Sequence, residues 1–308
     1  MKTVDTGIMF AGLKLKNPII IESSELTDSA FKIKILEDCG ASAVVLKSIY
    51  EEQIMMSLSD EQEENKNELF FNEDIRQFVT DNHLYAYLSL IKECKETCSI
   101  PIIASINCHT NRDWVKVVKD MEKAGADAIE INFAIHDQSD NNDIKICEII
   151  NSVKDYTSLP VILKIMMEYE NCIKVLSSYN NVPNGLIVSK NHFSNSIRKQ
   201  IIESNFIFSD ISIKNKPINN EENSDSSLDL IDIAISQNIN TADDVINCIL
   251  SGAKAIAVNS IVYNLGPDYI PHILAFLTNW MYENNYMTIE DFRGKTNRES
   301  HNYIFNFN

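Results

Sequence analysis

The sequence predicts an α/β fold: a closed (β/α)8 TIM barrel forming a single domain over residues 1–308, with an N-terminal lead-in hairpin. Three observations predict it. Short apolar runs rich in Ile and Val recur eight times along the chain, helical spacing fills the stretches between them, and no GxGxxG fingerprint follows the first run. An open doubly wound sheet would be expected to carry that fingerprint.

The runs are Pro18 to Ile21, Ala43 to Leu46, IPIIASIN from Ile100, ADAIEIN from Ala126, LPVILKI from Leu159, NGLIVSK from Asn184, LIDIAIS from Leu230 and AKAIAVNS from Ala253. Each is apolar on both faces, as a strand buried on both sides of a parallel sheet must be. Three intervening helices carry their own stop signals. Phe31, Ile35 and Leu36 precede Cys39-Gly40-Ala41; Trp114, Val117, Val118 and Met121 precede Ala124-Gly125-Ala126; Val245, Ile249 and Leu250 precede Ser251-Gly252-Ala253. A Gly just past a helix end closes the last turn and turns the chain toward the next strand. Two inserts stand out: an acidic segment, 51–81, read as a solvated excursion after strand 2, and a polar loop, 215–227, without apolar periodicity.

Of 308 residues, 44% are hydrophobic and 23% charged, ordinary values for a globular chain. Lys and Arg number 27 against 44 Asp and Glu, a net charge of −17. Such a surface repels a phosphodiester backbone and an anionic membrane, so neither nucleic acid nor membrane is an expected partner. No run approaches the roughly 20 apolar residues of a membrane-spanning helix, and no signal peptide is readable. Seven cysteines without a CxxC pair fit reduced thiols in a cytoplasmic chain. Glycine is scarce, eight residues, so where it is missing carries information.

In a (β/α)8 barrel the chemistry sits at the carboxyl ends of the strands. Those ends form a polar ring: Glu22-Ser23-Ser24, Lys47-Ser48, Ser105 and Asn107, Glu130 and Asn132, Lys164, Ser189-Lys190-Asn191, Ser236-Gln237-Asn238, and Asn259-Ser260. Lys47 and Lys164 are the sharpest signals, because an ammonium closing an apolar run needs an anionic partner. That partner is either a bound anion facing both lysines or a neighbouring glutamate such as Glu22 or Glu130.

The segments GLKLKNPIIIESSELT, AVVLKSIYEEQI, IPIIASIN, AGADAIEIN, LPVILKI and MTIEDFRGK, in this order from about Gly12 to Lys295, resemble the class 1 dihydroorotate dehydrogenase family of FMN-dependent barrels. The resemblance implies FMN as cofactor, a small-molecule substrate and a homodimer. It implies that Ser23 and Ser24 lie beside the isoalloxazine, that Lys47, Ser48 and Asn132 meet the flavin, with Lys47 and Asn132 also at the reacting centre, and that Lys164 reaches the pyrimidine edge. Asn191, Asn238, Asn259 and Ser260 complete the expected cofactor set.

The chain departs from that family where proton transfer and phosphate binding are expected. Ile135 stands where the family has a Cys or Ser base, and isoleucine transfers no proton. His136, one residue on, is the candidate substitute because imidazole titrates near neutrality. Gln237 and Asn238 replace a Gly-Gly pair at the phosphate turn, and Glu25 replaces a strand-1 Gly. Other readings of the mouth are a Cys108 thiolate, a Schiff-base Lys164, and a three-histidine metal centre from His109, His136 and His192. The sequence therefore predicts an FMN oxidoreductase acting on a small CH–CH substrate with altered or lost dihydroorotate specificity; the alternative is a degenerate barrel kept as a binding or partner subunit.

Overall fold

The computed structural model describes residues 4–64, 83–133, 142–166, 182–189, 231–236 and 239–295. The chain opens with an antiparallel hairpin, β1 (Ile8–Phe10) and β2 (Leu13–Leu15), joined by Ala11 and Gly12 at φ 49° and 84°. Positive φ at both central residues gives the hairpin turn whose twist matches its strands, and Gly12 accepts it without penalty.

The barrel follows as β3 (Ile19–Ile21), β4 (Ala43–Val45), β6 (Ile102–Cys108), β7 (Ala128–Phe133), β8 (Val161–Met166), β9 (Gly185–Ser189), β10 (Asp232–Ser236) and β11 (Ala255–Val258). Each pairs in parallel with its neighbour. The β11–β3 and β4–β6 pairings close the cylinder, so the sheet has no open edge there. All eight apolar runs are barrel strands in the predicted order. Ile19, Ile20 and Ile21 are fully buried, as are Ile102, Ile103, Val161, Ile162 and Ile256, and each such side chain contributes about 1.5–3 kcal/mol by leaving water.

Strand 2 is interrupted. After β4, with Leu46 N–H still donating to the Ile103 carbonyl, the chain leaves the sheet at Lys47 and Ser48 and rejoins β6 as the two-residue β5 (Ile49–Tyr50). Within the gap, Lys47 N–H donates to the Thr27 carbonyl and Ser48 N–H to Ser23 Oγ, so both residues turn toward the strand-1 loop. The gap strands the Ser105 N–H and C=O on β6. The phenol of Tyr87 fills it, accepting from Ser105 N–H at 2.7 Å and donating to Ser105 O at 3.1 Å. A buried backbone pair thereby stays satisfied although the ladder is broken.

The helices are α1 (Ala30–Asp38), α2 (Glu51–Glu64), α3 (His83–Thr97), α4 (Val118–Ala124), α5 (Asn142–Tyr156), α6 (Ala242–Leu250), α7 (Ser260–Leu265) and α8 (Tyr269–Glu283). Gly40, Gly125 and Gly252 follow α1, α4 and α6 with φ of 105–114°, as their positions in the sequence predict. The predicted phase of α1 is corrected: Phe31 and Ile35 face out, 76% and 38% exposed, while Ala30, Ile33, Leu36 and Glu37 are buried. Glu37 sets that phase, because its carboxylate accepts from Ser99 N–H at 2.8 Å and from Ser99 Oγ at the foot of strand 3. Trp114 and Val117 lie in a 3-10 turn that leads into α4 rather than in the helix itself.

The first part of the acidic segment 51–81 is helix α2, seated by Ile54, Ser57 and a buried Glu51. Residues 65–81, and the polar loop 215–227, lie outside the described residues. Among the described residues no helix is long and apolar enough to cross a membrane, and the six described cysteines are free thiols.

Candidate functional site

Strand register stacks the polar strand ends in two levels. At the upper level Tyr50, Asn107, Asn132 and Lys164 are paired neighbours across β5, β6, β7 and β8. One level down, Ser105 pairs with Glu130. Successive inward-pointing positions two residues apart on one strand produce this layering.

Above them opens a cavity of about 520 Å3 at the carboxyl end of the barrel. Its hydroxyls come from Ser23, Ser24, Ser48 and Ser260, and its amides from Asn107, Asn132, Asn259 and Asn264. Tyr50 and Tyr263 add phenol rings at the rim, and Glu25 and Lys47 are its charged side chains. Among the described residues the buried Asn259 Oδ1 has no hydrogen-bond partner. An acceptor left so costs about 1–3 kcal/mol, and a ligand N–H or O–H would recover it.

The lysines do not stand as a pair of free cations. Lys47 Nζ donates to Glu25 Oε1 at 2.8 Å, which holds its ammonium charged above the usual lysine range. Lys164 Nζ donates to Glu22 Oε2 at 2.7 Å, and Ser236 Oγ donates to Glu22 Oε1. Burial disfavours the Lys164 charge, but the carboxylates of Glu130 and Glu22 outweigh it and raise its pKa. Of the two arrangements open in the sequence, a shared anion or neighbouring glutamates, the glutamates hold both lysines.

Glu130 is 1% exposed, and burial pushes its carboxyl above the usual range against the opposing pull of Lys164 and Ser105. It accepts from Ser105 Oγ at 2.7 Å. Ser105 Oγ shares a hydrogen bond with Ser48 Oγ at 2.8 Å, which shares another with Ser23 Oγ at 2.9 Å. The chain of hydroxyls joins a buried carboxyl to two residues lining the cavity. Because each hydroxyl both accepts and donates, the row can pass a proton in either direction.

No family model matches the chain. Three curated relatives do. The catalytic subunits of dihydroorotate dehydrogenase B (NAD(+)) from Thermoplasma volcanium and Thermoplasma acidophilum are 24% and 22% identical to it, each over 94% of this chain and 98% of the relative. Over most of its length this chain is similar, at low identity, to dihydroorotate dehydrogenases.

For a dihydroorotate dehydrogenase relative, the residues at the mouth fit the ring end of a flavin in kind: amides, hydroxyls and an unsatisfied buried amide oxygen. Ser23, Ser24, Lys47, Ser48, Asn132, Asn259 and Ser260 all line the one cavity, and Lys164 lies at its floor level beside Asn132. His136, Ile135, Asn191, His192, Gln237 and Asn238 lie outside the described residues. Of the other readings, Cys108 is fully buried with its thiol pushed up by burial, so it is core rather than nucleophile. His109 sits by Glu51 and Glu52, at 3.4 and 3.6 Å, outside the cavity lining.

Sequence reasoning missed Tyr50, Tyr263, Asn264 and Tyr87. A signal existed for two of them, since Ser260, Tyr263 and Asn264 fall at i, i+3 and i+4 of one helix face. Tyr87 shows nothing beyond helical spacing with Leu84, Ile91 and Cys94, because its role depends on the gap in strand 2.

Proposed function

We propose that this chain is a flavin-dependent oxidoreductase of the dihydroorotate dehydrogenase type, working on a small CH–CH substrate with altered dihydroorotate specificity. The observation that supports the reading is the cavity itself: seven of the strand-end residues named by the resemblance line one space, and among the described residues a buried amide oxygen there has no partner. FMN is the flavin the family resemblance implies. When bound, it would supply two-electron acceptance. Ser23, Ser24, Asn132 and Asn259 would hold it, and Ser48 would position Ser23 through their shared hydrogen bond.

The proton has a route that does not need Ile135. A proton released by substrate at Ser23 passes along Ser48 and Ser105 to Glu130, whose buried carboxyl is suited to hold one. His136 remains the candidate base from the loop after strand 4.

The test is an FMN titration of the purified chain followed by flavin fluorescence, then anaerobic addition of dihydroorotate. Saturable quenching without rapid bleaching supports the reading. Rapid bleaching would show dihydroorotate specificity to be intact. Absence of any FMN binding favours the second reading, a barrel that has lost flavin chemistry and serves as a binding or partner subunit. The observation favouring that second reading is the engagement of both lysines by strand-1 glutamates, which leaves neither Lys47 nor Lys164 uncompensated to stabilise a reduced flavin.

A further inference from the structure

Each described lysine of the mouth is paired with a carboxylate. Among the described residues lining the cavity, Lys47 and Glu25 are the charged pair, joined at 2.8 Å; below them Lys164 and Glu22 are joined at 2.7 Å. Both carboxylates come from one short stretch at the end of β3, and each is directed at a lysine from a different strand. Glu130 adds a further carboxyl in the same interior, close enough to raise the Lys164 pKa. A ligand bearing a carboxylate would meet two lysines already bonded and two anions already in place, and would lose its hydration on entry.

Among the described residues lining the cavity, what remains to recognise a ligand is neutral. Four asparagine amides and four serine hydroxyls line the space, one amide oxygen awaits a donor, and two exposed phenols, Tyr50 and Tyr263, offer flat faces at the rim. Amides and hydroxyls read N–H and C=O groups on a ring edge, and phenols pack against its face.

We infer that this mouth selects an uncharged, planar, hydrogen-bonding ring over one that carries a carboxylate, and that Glu25 and Glu22 set the preference by engaging Lys47 and Lys164. The inference deepens the function proposed above and rests on its assignment of this mouth as the small-molecule site. It does not depend on which flavin, if any, shares the space.

Uracil and orotate make a matched pair, the same ring without and with a carboxylate. Their dissociation constants are measured by calorimetric or ligand-observed NMR titration of the full chain at low ionic strength. Wild type is expected to bind uracil at least as tightly as orotate. Glu25→Gln, at an exposed position, frees Lys47 and strengthens orotate on the order of tenfold while uracil changes less than about twofold, the scale of one like charge removed at close range. Adding Lys47→Gln to Glu25→Gln cancels the gain, whereas Lys47→Gln alone leaves the Glu25 carboxylate uncompensated and weakens orotate further relative to uracil. Tighter binding of orotate than uracil by wild type, an unchanged ratio in Glu25→Gln, or no binding of either ring at millimolar concentration overturns the inference. Failure of the flavin reading is separate: it shows as absent FMN binding while the preference for uracil persists.

Discussion

The two ends of the barrel solve different problems with the same strands. At the amino-terminal end the lead-in hairpin seals the cylinder. Phe10 is fully buried there, Ala11 N–H donates to Asp232 Oδ2 at 2.8 Å, and Lys254 pairs with Asp232 at the start of β10. Gly185 opens β9 at the same end, where an added Cβ would come within 3.1 Å of Phe10 and 3.0 Å of Ala11. At the carboxyl end the described strands finish in paired charges, amides and hydroxyls around an open space, with the buried Asn259 Oδ1 unpartnered among the described residues. The closed end is governed by shape, the open end by which polar group finds which partner.

That contrast predicts different responses to substitution. The largest losses come from breaking each end at its centre. Lys164→Met strands the Glu22 carboxylate in the interior and is expected to cost about 3–5 kcal/mol in urea unfolding, with most of the loss recovered when Glu22→Met is added. Recovery would not occur if the pair were not the cause. Phe10→Ala leaves a cavity at the sealed end and should cost about 3–5 kcal/mol, with ligand affinity at the mouth unchanged; a matching loss of affinity would show the two ends to be coupled.

Intermediate effects come from single buried carboxylates. Glu37 is held at a pKa of about 2 by Ser99 and Lys34 against the cost of burial, so its stabilisation is present above 4.5 and is lost as pH falls toward 2. Glu37→Gln is expected to cost about 1–3 kcal/mol at pH 7 and less at pH 3. Glu130 has the opposite sign. Its carboxyl is raised above 4.5 by burial, so the folded chain holds the proton longer than the unfolded one, and stability falls as pH rises from 4.5 through the folded value. Glu130→Gln should flatten that fall in unfolding measurements carried upward from pH 4.5. The smallest effect belongs to the rim. Lys47→Gln removes a half-exposed ion pair and should change stability by less than about 1 kcal/mol.

The sealed scaffold was legible because apolar periodicity encodes it: every buried strand is a run of Ile, Val or Ala, and helix ends at Gly40, Gly125 and Gly252 are marked by the residue that tolerates positive φ. The polar ring was legible as a set of residues, since strand ends are where such a barrel places its chemistry. Its pairing was not. Nothing in the spacing of Glu22, Glu25, Lys47 and Lys164 distinguishes cations offered to a ligand from cations bonded to glutamates 142 and 22 residues away in the chain. The exposed Phe31 teaches the same lesson, because a single buried Glu37 and its serine partner rotate α1 away from the phase that hydrophobicity alone suggests.

The central claim is that Lys164 is bonded to carboxylates within the barrel and not held free for a ligand. Lysine-selective NMR of the ligand-free chain, with the signal assigned by Lys164→Met, reads this from the pH at which the ammonium loses its proton. The account predicts titration above the ordinary value of 10.5, moving down in Glu22→Gln. Titration below 10.5 in wild type, as for a buried amine without an anionic partner, would contradict it.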